Sequence, residues 1–211
     1  MFIDAAFAFA VTMLVISFDN IPSTYDEIIL AIKSIPAFVV AVAQLVWIWH
    51  THNVWSRRFG LDTAYTVFVS TVLLIVVLIY VYPMRIMAGG MFAWFTGDFL
   101  PSNFILTGLD QLRDMFVFLG LGFVALSLVF VEMYRYAARL SSELRLNGHE
   151  LYESRTLALM WGGAAVIGTV CVVLAVTLPR PLVPYSGFAF SLLGAWFPLV
   201  RWRRHKSMPG G

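Results

Sequence analysis

Six stretches of 17 to 22 residues, nearly free of charge, recur along this chain and are separated by short polar breaks. A helix needs about 20 mostly apolar residues to cross the hydrocarbon of a bilayer, and a helix satisfies its own backbone polar groups there. The pattern therefore predicts an all-α, polytopic membrane protein of six transmembrane helices. They cover about 2–18, 36–55, 63–84, 115–134, 157–178 and 182–200, in one domain over 1–206 with a short tail over 207–211. Composition agrees: 60% of the 211 residues are hydrophobic and only 12% charged, half the charged share of a soluble domain. The lone Cys171 lies in an uncharged run and sets aside disulfides and thiolate metal sites. No basic region precedes the first apolar run and no small-residue cleavage site follows it, so no cleavable leader is expected.

The breaks carry the expected loop chemistry: Asp19-Asn20-Ile21-Pro22 after the first span, Arg57-Arg58-Phe59-Gly60 after the second, Pro179-Arg180-Pro181 before the sixth. The third span is expected to close at Tyr82-Pro83. A long mixed connection follows over 85–114, its Phe92, Trp94, Phe95 and Phe99 lying against the membrane surface. The polar segment 135–155 reads as a helical extension into water. With both termini cytoplasmic, the inner side holds Arg57, Arg58, Arg135, Arg139, Arg145, Arg155, Arg201, Arg203, Arg204 and Lys206. The outer side holds Lys33, Arg85, Arg113 and Arg180, ten against four of the 14 cations.

Few residues suit chemistry. Asp4 is the only acid in the first span; it either hydrates and caps the start of that helix or is a buried carboxylate held by a partner. His50 and His52 stand two apart, about 200° around a helix, and do not share one ion. No third ligand stands near, so no metal site and no cofactor are expected. The reading of this pair puts His50 toward helix partners and His52 near the inner interface beside Trp49 and Trp55. Trp47, Trp49 and Trp55 fit an interfacial aromatic belt, and Gly162, Gly163 and Gly168 fit close helix packing. No nucleophile with a base, phosphate loop or acid pair argues for an enzyme, and no nucleic-acid partner is expected.

At 100° per residue, Phe2, Phe9, Met13 and Ile16 fall within about 60° of one another, with Thr12 beside them and Asp4 about 140° from Phe9. This arc is either one more buried face of an apolar helix, or a set of hydrophobic constrictions that gate a pore by shedding water, with Asp4 anchoring the helix behind.

Phe2-Ile3-Asp4-Ala5, followed by Phe7-Ala8 and Ala10-Val11-Thr12-Met13-Leu14, resembles the start of the first span in the transmembrane protein 175 family, where Arg-x-x-x-Phe-Ser-Asp is the hallmark. Trp47-x-x-His50 resembles the family's Trp-x-x-His at the end of the second span, and Asp62 and Pro83 are weaker landmarks. The resemblance implies a potassium-favouring cation channel, a homotetramer whose first helices line a central pore in a bacterial inner membrane, with potassium as permeant ion. The narrowest apolar ring would fall on Phe9, the next on Met13 and Ile16, and a threonine layer on Thr12. Phe2, Asp4, Trp47 and His50 would form the network that orients the pore helix. The motif serine is replaced by Ile3, and the motif arginine would fall ahead of Met1. The alternatives are a proton-coupled transporter or proton pathway using Asp4 and His50, or a non-conducting membrane component that acts through partners.

Overall fold

The computed structural model describes residues 2–16, 23–100, 102, 106 and 108–206, without the side chains of residues 2, 15, 16 and 205. Every regular element among them is helical: α1 (Phe2–Ile16), α2 (Tyr25–Phe59), α3 (Ala64–Thr96), α4 (Leu109–Arg139), α5 (Gly148–Thr177), a 3₁₀ segment (Arg180–Ser191) and α6 (Leu192–Lys206). Five stretches are long and apolar enough to cross a membrane: α2 to α5 and the combined Arg180–Arg204. α1 is apolar over Ile3–Leu14 and shorter than a crossing within the described residues.

The helices start where local chemistry dictates. Thr24 and Glu27 make a reciprocal capping box at the start of α2, and Ser23 adds a backbone donor to the same carboxylate. This box satisfies orphan amides twelve residues ahead of Pro36, so α2 begins well before the expected 36 and Pro36 lies inside it. Gly60 ends α2 at φ +55°, a left-handed conformation that favours glycine. Thr63 and Thr66 cap α3, and Asn147 and Glu150 cap α5.

The expected stop at Pro83 does not occur. α3 continues through Pro83 and Gly89-Gly90 to Thr96 and ends at Gly97, φ +58°. A proline inside a helix removes one backbone donor, and here its ring is buried against neighbouring helices that hold the helix in line. Of the aromatics placed in a surface loop, Phe92, Trp94 and Phe95 therefore belong to the last turns of α3, and Phe99 lies just beyond its end. The polar segment 135–155 divides into the end of α4, a turn over 140–147 and the start of α5.

The α4–α5 hairpin is the scaffold. A Cβ at Gly120 would stand 2.5 Å from Val172 Cγ2 and 3.2 Å from the Gly168 carbonyl, so these glycines set how closely the helices lie. Gly163 leaves room for the Trp196 indole of α6, while Gly162 has no atom nearer than 4.0 Å to a Cβ placed there. Phe130 stacks on Trp161 with centroids 4.4 Å apart. Trp55 is core rather than interfacial belt: it is buried and donates to the Met133 carbonyl at 3.1 Å.

Two of the four sparse cations act as helix-terminal caps. Arg113 donates to the carbonyls of Ala175 and Leu178 at the end of α5, at 2.9 and 3.1 Å. Arg85 Nη1 donates to the Leu14 carbonyl near the end of α1 at 3.1 Å. Cations at helix C-termini satisfy orphan carbonyls and oppose the negative dipole end. At the opposite, cation-rich end, Arg58 pairs with Glu153 at 2.6 Å and Tyr152 donates to the Arg204 carbonyl at 2.9 Å, drawing α2, α5 and α6 together.

Candidate functional site

α1 packs on α2 and α3 through one narrow side. Phe7, Ala10 and Leu14 are buried; they span about 60° of the helix, centred roughly 130° around from Phe9. The opposite side is uncovered in the single chain: Phe9 is 57% exposed, Ala5, Ala8 and Thr12 are exposed, and Met13 is half-buried. The hydroxyl of Thr12 donates to the Phe9 carbonyl at 2.7 Å, which leaves its lone pairs directed away from the helix backbone. Phe2 and Ile16 belong to α1, but their side chains lie outside the described residues.

Three contacts hold α1 along its length. At its start, Asp4 Oδ1 accepts a hydrogen bond from Trp49 Nε1 at 2.9 Å. In the middle, the Phe7 ring faces His52, centroids 6.5 Å apart. His52 is buried, with Nε2 3.1 Å from the hydroxyl of Ser70 on α3. Near the end of α1 stands the Arg85 cap on Leu14. An indole N–H to a carboxylate is a charge-assisted bond with a single donor direction, so it fixes the rotation of α1 as well as its height. Between α1 and α2 lies a shallow groove of about 220 Å³ lined by Asp4, Phe7, Val11, Leu45, Val46 and Trp49.

The expected network therefore forms in a different register. Trp47-x-x-His50 and Trp49-x-x-His52 both match Trp-x-x-His, and the two copies point about 200° apart on one helix. Trp49 and His52 face α1 and α3. His50 is exposed, and Trp47 packs on the other side of α2, centroids 5.4 Å from Trp161 and 6.1 Å from Phe197. Sequence reading also missed Ser70 and Arg85; a serine and an arginine within apolar runs were the available signals. Among the described residues no three His, Cys, Asp or Glu side chains converge as a metal site, and Cys171 is a buried free thiol.

No protein-family model matches the chain. A protein of Marivirga tractuosa described as a potassium channel is 34% identical over 162 residues, 74% of this chain; the chain spans 64% of that relative's length. The crystal structure of the potassium channel MtTMEM175, a single-substitution variant in complex with a nanobody–MBP fusion protein, aligns at TM-score 0.81 and 27% identity. That alignment covers 98% of this chain and 91% of that one. With its helices laid out as in that structure over nearly their whole length, the chain is similar in fold and in sequence to the MtTMEM175 potassium channel.

Proposed function

We propose that the protein is a potassium-favouring cation channel of a bacterial inner membrane, a homotetramer in which α1 of each copy lines a central pore. The observation that carries this reading is the two-sidedness of α1. One side is anchored at three points, while a stripe through Ala5, Phe9 and Thr12, almost without polar groups, has no cover from its own chain. One such helix encloses nothing, and copies arranged about an axis would bring the stripes together. Phe9 would form the narrowest ring, with Met13 and Ile16 as further apolar rings and Thr12 as a hydrated layer. Apolar rings of this kind gate by dewetting. Asp4, Trp49, His52 and Ser70 would hold the pore helix in rotation; the side chain of Phe2, the remaining member of the expected network, lies outside the described residues. Trp47 and His50 point elsewhere on α2. The ten-to-four division of cations supports six spans with both termini cytoplasmic.

A proton-coupled route through Asp4 and His50 has less support. The partner of Asp4 described above is an indole N–H, which steadies a carboxylate and accepts no proton from it.

Liposomes holding the purified protein test the channel reading by potassium-driven flux, with sodium for comparison. The parent should pass potassium in preference to sodium. Phe9→Asn should pass more of both ions with less discrimination, because a polar ring hydrates the constriction. Silence from both proteins, each folded and reconstituted, would remove the channel reading.

A further inference from the structure

On the far side of α2 from α1, a cleft of about 430 Å³ opens between the C-terminal part of α2, the end of α4, the start of α5 and α6. Its walls are aromatic: Trp47, Trp161 and Phe197 contact one another with centroids 5.4 to 6.1 Å apart. Tyr134 and Leu157 complete the walls and Arg201 stands at the rim.

Several hydrogen-bond donors here are unspent, although the Thr51 hydroxyl, also in the lining, donates to the Trp47 carbonyl at 2.9 Å. Trp49, Trp55 and Trp196 each donate their indole N–H to an acceptor: Asp4, the Met133 carbonyl and the Met160 carbonyl. Trp47 and Trp161 donate to none among the described residues, although Trp161 is only 2% exposed. The Tyr134 hydroxyl likewise has no partner among the described residues, on a side chain 3% exposed. Arg201 makes no ion pair or hydrogen bond there, whereas Arg58, Arg113, Arg139 and Arg180 all pair with acids. These donor atoms are accessible rather than sealed in the core: among the described residues the fully buried side-chain polar atom without a partner is the Ser127 hydroxyl, and Trp47 and Arg201 are exposed residues. Four donors without acceptors, one of them a cation, around a single apolar cleft point to a missing acceptor-rich, anionic occupant.

We propose that this cleft binds an anionic phospholipid. Arg201 lies one helical turn beyond Phe197, toward the polar end of α6 and the cation-rich side of the molecule. That is the level of a phosphate, which a guanidinium recognises by paired, charge-assisted bonds. The phenol and the indole N–H groups lie along the cleft below it, where glycerol ester carbonyls supply acceptors, and the aromatic walls take the acyl chains. A free phosphate would leave those walls unfilled, and a zwitterionic lipid would bring its own cation to Arg201. The inference rests on the membrane-spanning fold and not on conduction.

Native mass spectrometry of the detergent-purified full-length protein, offered phosphatidylglycerol and phosphatidylcholine together, tests it without any flux measurement. The parent should retain phosphatidylglycerol adducts in preference to phosphatidylcholine. Arg201→Gln should lower that preference roughly tenfold, the scale of one charge-assisted contact, and Arg201→Lys should restore part of it. Arg203→Gln removes the same charge from the same helix and should leave the preference unchanged. Leu157→Trp, which fills the cleft and keeps every charge, should displace the lipid. Equal retention of the two lipids by the parent would overturn the proposal, because the cleft would then be apolar surface alone. Equal losses in Arg201→Gln and Arg203→Gln would also overturn it, since bulk charge would explain the binding.

Discussion

An indole N–H that meets a carboxylate can do so from only one direction, and this decides which tryptophan of α2 matters to α1. Trp49→Phe keeps the ring and removes the donor to Asp4. Loss of one such bond should cost about 1 kcal/mol, or roughly 2–4 °C in melting temperature for a chain of this size, measured by differential scanning fluorimetry in one detergent. Trp47→Phe removes an N–H without a protein acceptor and should stay within about 0.5 kcal/mol of the parent. If Trp47→Phe were the costlier change, the register of the network would be wrong. Two copies of Trp-x-x-His overlap in six residues, and nothing in those six residues says which copy faces α1. The choice depends on how α2 is rotated, which distant packing sets.

At the scale of elements, the stop at Gly60 was legible, while the starts of α2 at Tyr25 and α5 at Gly148 lie well ahead of the expected 36 and 157. Capping boxes are local, so Thr24, Thr63 and Asn147 mark helix starts on their own. Pro83 and Gly89-Gly90 look like stops, because in water each would break or weaken a helix. Where the proline ring is buried among other helices, continuing the helix is the way to keep the remaining backbone groups bonded. The α4–α5 hairpin offers a test of packing at this scale. Gly120→Val would drive its Cβ against backbone as well as a side chain of α5, and overpacking of that kind costs about 1–3 kcal/mol. Gly162→Ala, with no neighbour nearer than 4.0 Å to its new atom, should leave the melting temperature unchanged or raise it slightly. Thermal unfolding of the two variants in the same detergent separates a glycine that sets helix spacing from one that does not.

At the scale of the whole molecule, the scaffold and the exposed stripe of α1 have different supports. In the most apolar windows of α4 and α5, 44% of residues are buried within one chain, against 22% for α2. The hairpin holds itself together, while α1 and α2 keep apolar faces open. If the proposed tetramer forms, light scattering of the purified protein, corrected for detergent, should give a particle of four 23.7 kDa chains. A monomer that still supported flux would exclude a pore shared among α1 helices.

The sequence by itself determined that the chain is helical, that it carries several membrane-spanning segments, and which residues of the first helix share one arc. These follow from hydrophobic length, charge placement and the fixed 100° step of a helix, all of which are local. Only the tertiary structure decided that Trp49 and His52 rather than Trp47 and His50 face α1. It also decided that α3 runs past its proline, and that Arg85 and Arg113 cap other helices. In each case the outcome depends on the rotation of one helix against another, and that rotation is set by the sum of many side-chain contacts from residues far apart in the chain.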